Sequence, residues 1–229
     1  MVTSKDLRIP FLWQDRKILL SDKFWFVPPQ TSPESSSIKN FDSFAVFGNT
    51  NPIAIEYCSG NGTWVCSKAI EYPDINWIAV EKKYDRASKI WARAKNANIP
   101  NIVVAWAEGI FLTKNFFSEN SVQEAYVNFP DPWPKNCHRK HRIINQEFLS
   151  ELSKALVPKG VVTFVTDSEN YSDIAIEEFQ QNSAFCSLFS EPYYSQVPPS
   201  YGTSYFDTLF RLKGLNIRYH QFQKLGSNV

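Results

Sequence analysis

Three short apolar runs, each separated from the next by a stretch that can form a helix, constrain this chain more than any other feature. IAIEYC (residues 53–58), NWIAVE (residues 76–81) and NIVVAW (residues 101–106) have the length and composition of buried strands. Between the last two, Tyr84, Ala87, Trp91 and Ala94 fall on one face of a helix predicted over residues 84–98 and ended by Pro100. A helix over residues 63–71 fits between the first two runs. VQEAYVN (residues 122–128) and VVTFVT (residues 161–166) read as further strands, and FCSLF (residues 185–189) as a possible short one. Helices are predicted over residues 143–156 and 171–181, with Pro158, Lys159 and Gly160 stopping the first. Strand and helix alternating at these lengths predict an α/β fold with a mainly parallel sheet and right-handed crossovers.

The first 50 residues lack that alternation. Phe11, Trp13, Phe24, Trp25 and Phe26 are scattered through them, and PPQTSPESSS (residues 28–37) reads as a loop. Residues 1–50 are therefore expected to form an arm and linker, and residues 51–229 a single domain. A chain of 229 residues with 43% hydrophobic content buries one sizeable core. No run approaches the roughly 18 apolar residues of a membrane span, and the N-terminus lacks a signal-peptide core, so a cytoplasmic protein is expected. Cys58, Cys66, Cys137 and Cys186 form no CxxC pair and accompany no histidine cluster, which points to free thiols and no metal.

The densest chemistry lies in NFPDPWPKNCHRKHR (residues 128–142). Pro130, Pro132 and Pro134 fix their own backbone angles and carry no amide hydrogen, so this stretch is a rigid loop at the end of the strand over residues 122–128. Four basic residues (Lys135, Arg139, Lys140, Arg142) stand there against one acid (Asp131), a local +3 on a chain of net charge +1, with His138 and His141 added. Such a patch suits a phosphate-bearing partner. Three acids mark the ends of the first three strands. Glu56 opens the turn Tyr57, Cys58, Ser59, Gly60, Asn61, Gly62; Glu81 ends the second strand; Glu108 follows the third. A small-residue turn before a helix lets a ligand approach the backbone, and an acid at the end of the second strand commonly accepts ribose hydroxyls. Together they favour an adenosine-type ligand. The chain has neither a GxxxxGK[ST] phosphate loop nor a GxGxxG fingerprint.

FPDPWPK (residues 129–135) followed by His138, Lys140 and Arg142 resembles the signature loop of the bacterial tRNA (guanine-N7)-methyltransferases. The resemblance runs from about residue 53 to 222. It includes Val165, Thr166 and Asp167, and a C-terminal segment in which Ser204, Tyr205, Phe206 and Asp207 precede Gly214 by the family's spacing. It implies a Rossmann-like class I methyltransferase fold, with a mainly parallel central sheet and helices on both faces. It implies S-adenosyl-L-methionine as methyl donor, no metal, and tRNA as partner, the target being N7 of the variable-loop guanine at position 46. Carried over residue by residue, Glu56, Glu81, Glu108 and Asp131 contact the donor, with Asp131 also catalytic. Lys135, Asp167, Ser204, Tyr205, Phe206 and Asp207 contact the tRNA and its guanine. The enzyme is expected to be a monomer or homodimer with no obligatory protein partner.

The chain departs from the family pattern in three places. Cys58 stands where the family has its first glycine, so the side chain crowds the ligand or requires a strained turn. Asn136 and Cys137 replace a basic pair, and Ser204 and Asp207 replace threonine and glutamate. Ser204 and Asp207 also read as a helix capping box, Asp167 as a helix cap, and Trp133 as a packing anchor. Cys58 motivates an alternative, a catalytically impaired tRNA-binding protein of the same fold. Methylation of a protein or small molecule is disfavoured by the basic loop. N7 of guanine already offers an in-plane lone pair, so the expected reaction needs no general base and rests on positioning, with phosphate contacts expected from Lys135, Arg139, Lys140 and Arg142.

Overall fold

The structure is a computed structural model that describes residues 1–36, 38, 40–134, 141–197 and 200–226. It contains two compact units, Met1–Ser118 and Glu119–Val229. Among the described residues no helix is long and apolar enough to cross a membrane.

The first unit is built on β3 (Ile53–Tyr57), β4 (Asn76–Glu81) and β5 (Ile102–Trp106), paired in parallel with β4 in the middle. Every residue of all three strands is buried, the near-continuous apolar pattern of parallel strands covered on both faces. Helices α2 (Thr63–Glu71), α3 (Tyr84–Asn96) and α4 (Gly109–Phe116) follow these strands in turn. The stripe expected on α3 is present, with Ala87, Ile90, Trp91 and Ala94 buried.

The first 50 residues are more than an arm. β1 (Leu19–Ser21) and β2 (Phe24–Phe26) form an antiparallel hairpin, and β2 adds in parallel to β5. Its three aromatic residues are all buried. Asp22 and Lys23 turn the hairpin at φ 52° and 61°, the positive pair that a two-residue turn needs to match strand twist. The backbone carbonyl of Asp22 accepts a 3.0 Å hydrogen bond from Trp91 Nε1, and its carboxylate pairs with Lys95, so α3 holds the turn. A short helix, α1 (Ser43–Phe47), capped by Asp42 Oδ1, completes this unit.

In the second unit, β6 (Val122–Asn128) and β7 (Leu156–Thr166) pair in parallel, and β9 (Arg218–Lys224) runs antiparallel between β7 and β8 (Phe185–Ser187). Helix α5 (Gln146–Ala155) begins three residues later than expected because Asn145 caps it, its Oδ1 accepting from the Phe148 amide at 3.0 Å. It ends at Ala155, and Leu156 already pairs with Val122; the residues expected to stop the helix form a register irregularity in β7 instead. Ser168 caps α6 (Glu169–Gln180), the role considered for Asp167. Ser204 caps α7 (Tyr205–Leu212). Both units thus carry the expected α/β architecture flanked by helices: the first is parallel apart from the β1–β2 hairpin, and the second joins one parallel pairing, β6 with β7, to two antiparallel ones.

Candidate functional site

In the first unit the carboxyl ends of β3, β4 and β5 carry three of the four residues expected to meet the donor, Glu56, Glu81 and Glu108; the fourth, Asp131, belongs to the second unit. Glu56 is 2% and Glu81 5% exposed. Carboxylates are seldom so deeply buried without a partner that needs them there. Glu81 Oε2 accepts from the Gly60 amide at 3.0 Å and Oε1 from the Lys83 amide at 2.8 Å, so one carboxylate pins both the turn after β3 and the start of α3. An ionised carboxylate has about four acceptor sites, which leaves room for ribose hydroxyls.

The turn itself is shaped by positive φ angles. Gly60 lies at 56° and Gly62 at 70°; a Cβ on Gly62 would stand 2.7 Å from two side-chain carbons of Ile90. Cys58 occupies the same left-handed region at φ 61°, so the strained turn is what the structure adopts. The Gly60 to Glu81 bond is nevertheless formed.

Glu108 is exposed and caps α4, its Oε2 accepting from the Phe111 amide at 2.7 Å. It borders a cavity of about 490 Å³ whose other walls include Lys82, Phe111, Pro28, Gln30 and Thr31. The segment after β2 is held in place there by Arg16, which donates to the Pro29 carbonyl at 3.1 Å, and by the Val27 amide, which donates to Trp106 at 3.0 Å. Sequence reasoning did not place residues 27–31 beside Glu108, since nothing in their composition says which strand β2 joins.

In the second unit the proline loop leaves β6 with the Phe129 amide bonded to the Val165 carbonyl at 2.9 Å. Phe129 and Trp133 take φ of 46° and 43°. Asp131 is exposed between them. Lys135, Arg139 and Lys140 lie outside the described residues. Arg142, expected among the phosphate-binding cations, is instead 3% exposed. Its Nε donates to the Pro132 carbonyl at 2.8 Å, and its Nη2 to the Trp133 carbonyl at 3.0 Å and to Asn170 Oδ1 at 3.2 Å. It is turned inward onto the loop.

The C-terminal motif packs on the same loop. Phe129 lies 6.1 Å from Phe206 and 5.5 Å from Phe210, ring centre to ring centre, and Phe206 stacks on Phe210 at 5.8 Å. Phe210 was not expected at the site, although its position one helical turn beyond Phe206 was a usable signal. Ser204 Oγ accepts from the Asp207 amide at 3.0 Å, one half of the capping box. The other half is missing, because the Asp207 carboxylate turns to Arg211 Nε at 2.8 Å and to the Tyr219 hydroxyl. Burial and the Asp207 carboxylate push the Tyr219 hydroxyl up to about 12, so it stays protonated and donates. Tyr205 is exposed. Asp167 is half-buried at the end of β7, and burial raises its carboxyl above the ordinary 3.8, opposed by its own backbone amide and by Lys213.

Residues 50–217 match the family described as "Putative methyltransferase". The tRNA (guanine-N(7)-)-methyltransferase of Chlamydia felis is 40% identical over 224 residues, covering 97% of this chain and 98% of its own. Among solved structures, the 16S rRNA methyltransferase KamB superposes with a TM-score of 0.60 at 16% identity, over 82% of this chain and 95% of its own. Haemonchus contortus phosphoethanolamine N-methyltransferase 2, solved in complex with S-adenosyl-L-methionine, reaches 0.51 at 13% identity, over 80% of this chain and 52% of its own. The two structures share the fold, and the sequence relative shares nearly the whole chain. This protein belongs to the tRNA (guanine-N(7)-)-methyltransferase family.

Proposed function

We infer that this protein transfers the methyl group of S-adenosyl-L-methionine to N7 of a guanine in tRNA, the variable-loop guanine at position 46, in the cytoplasm. The observation that carries the reading is the 40% identity, over 97% of the chain, to an enzyme of that name. Residues 51–229 act as the methyltransferase domain, and the first 50 residues complete the donor's surroundings.

Glu81 takes the ribose hydroxyls of the donor, the Gly60 turn lets its amino-acid end approach the backbone, and Glu56 holds that end. The adenine occupies the cavity beside Glu108, under residues 27–31. Asp131 orients the donor at the apex of the proline loop. No proton must be removed, because the lone pair of N7 attacks the sulfonium methyl directly and the sulfur leaves as a neutral thioether. What the protein supplies is alignment, together with carboxylates that favour the positive charge developing on the alkylated ring.

Asp167 suits the amino and imino edge of guanine better than Asp207 does. Among the described residues no ion pair engages Asp167, whereas Asp207 is bound to Arg211 and Tyr219. Phe206, stacked on Phe210 beside Phe129, offers an aromatic face to an unstacked base, and extruding that base costs a few kcal/mol. Lys135, Arg139 and Lys140 offset that cost through the phosphates. A tRNA-binding protein without catalysis rests on Cys58 alone, and the turn containing it keeps its bond to Glu81.

Radiolabelled methyl transfer to unmodified tRNA, with position 46 changed from guanine to adenine as control, tests the reading. Label is expected in the first tRNA and absent from the second; label persisting in the control refutes the target. Isothermal titration with the donor separates the enzyme, which binds it, from the impaired binder, which does not.

A further inference from the structure

Arg142 is a buried guanidinium with no carboxylate in ion-pair reach among the described residues. Taking a cation out of water without a counter-ion is costly, and among the described residues its Nη1 has no hydrogen-bond partner. Such a group persists where its remaining contacts matter to something other than stability. Those contacts converge on one short stretch of chain. Nε and Nη2 hold the carbonyls of Pro132 and Trp133, the two residues that follow Asp131. The guanidinium carbon stands 5.2 Å over the ring of Tyr171, and Asn170 of the same helix accepts the third bond. Asn145, which caps α5, donates to the Arg142 carbonyl at 2.9 Å, so the arginine is itself anchored at a helix start.

The loop needs such a holder. Three of the six residues from 129 to 134 are prolines with no amide to donate, and Phe129 and Trp133 sit at left-handed φ angles that L-residues adopt reluctantly. Prolines narrow the loop's choices but do not select this conformation. Two fixed peptide carbonyls do, and a planar fork of donors suits them as a single ammonium does not.

We propose that Arg142 is a positioning residue for methyl transfer: by holding the Pro132 and Trp133 carbonyls, it fixes Asp131 in the conformation the reaction uses. The proposal rests on the reading of Asp131 as a residue of the reaction. Its effect is on alignment, where displacements near 1 Å cost about 100-fold in rate.

Steady-state methylation of tRNA by Arg142→Lys, Arg142→Ala, Asp131→Ala and the Arg142→Ala/Asp131→Ala double variant tests it, alongside Asn170→Ala. Asn170 is exposed, so its loss leaves the fold intact while freeing one corner of the guanidinium. Arg142→Lys is expected to lower kcat about 10- to 100-fold, with KM for tRNA and donor affinity within about threefold of the parent. Asn170→Ala is expected to lower kcat by a few fold. The double variant is expected to be no slower than Asp131→Ala, because Arg142 acts through that residue. The salt dependence of tRNA binding is expected to stay unchanged. Losses that multiply in the double variant, or a fall confined to KM with a flatter salt slope, overturn the proposal. Parental activity in Asn170→Ala and Arg142→Lys overturns it even if Arg142→Ala fails to fold. Wild-type turnover by Asp131→Ala refutes instead the underlying role of Asp131.

Discussion

Asp207 accepts a hydrogen bond from the hydroxyl of Tyr219, tying the first turn of α7 to the strand β9. The same carboxylate accepts from Arg211, and it is almost fully buried. Family likeness implies that the acid at this position contacts the substrate, but here it is a shorter acid, already committed to two donors. Asp207→Asn is expected to cost about 1–3 kcal/mol of stability, since one of the two donors loses its acceptor in a buried site. Turnover by the folded variant should stay within about threefold of the parent. Chemical denaturation and kcat on the same preparation check this; a loss of kcat without a loss of stability would return Asp207 to the guanine.

Asp167 carries a different expectation. Burial raises its carboxyl above the ordinary value of 3.8, and its proposed task, accepting hydrogen bonds from guanine, requires the ionised form. As pH falls through that raised value the acceptor is lost, so kcat/KM for tRNA should show an acid limb displaced upward from the ordinary aspartate value. Asp167→Asn should be slower at neutral pH and should lack that limb. A limb that survives in Asp167→Asn assigns the ionisation to another group.

His220 governs stability rather than turnover. Its Nδ1 faces the Tyr193 carbonyl and must donate, so Nε2 accepts from Ser172, each at 3.0 Å, and the ring is neutral. Burial, aided by the Arg218 charge and opposed by the Tyr193 contact, lowers its pKa from 6.5 to about 4. The unfolded chain therefore binds the proton first. The stability this site contributes is fully present above pH 6.5 and is lost as pH falls toward 4, by on the order of 3 kcal/mol. In urea denaturation across that range, His220→Gln should show a shallower decline than the parent. Parallel curves would place the titrating group elsewhere.

What the sequence revealed and what it concealed divide along physical lines. β3, β4, β5, β6 and the helices between the first three were legible because burial on both faces, or on one helical face, leaves a periodic apolar signature. The β1–β2 hairpin was not. Its turn residues are Asp22 and Lys23, not the usual Asn-Gly, and their positive φ angles are held by Trp91 and Lys95, about seventy residues away. β9 has the sequence RYHQFQK, whose polar residues are supported by partners such as Ser172 and Leu156 that only the fold brings near. Among the candidate site residues, Glu56, Glu81 and Glu108 were legible as acids at strand ends. The burial of Arg142 was not, because a basic run looks like a solvated patch until one member is seen to turn inward.

Cys58 sets two effects of similar size against each other. An L-residue in the left-handed region costs about 1–2 kcal/mol, and at φ 61° Cys58 bears that strain. Replacing it with glycine removes the strain but gives the unfolded chain more freedom, which costs about 0.5–1 kcal/mol. Cys58→Gly should therefore leave stability unchanged or raise it by up to about 1 kcal/mol in chemical denaturation. The effect on the donor should be clearer. Without Cβ and Sγ the backbone between Glu56 and Gly60 can be approached more closely, so affinity for S-adenosyl-L-methionine should rise about two- to tenfold in isothermal titration. Gly62→Ala, four residues on, is the opposing control. Its methyl would meet Ile90 at 2.7 Å and its φ of 70° would become strained, so stability and donor affinity should both fall. If Cys58→Gly weakens donor binding, the thiol itself is a contact in the pocket and the departure from glycine is an adaptation of this chain. If binding tightens, the cysteine is a tolerated obstacle, and the turn works in spite of it because Glu81 holds Gly60 in place.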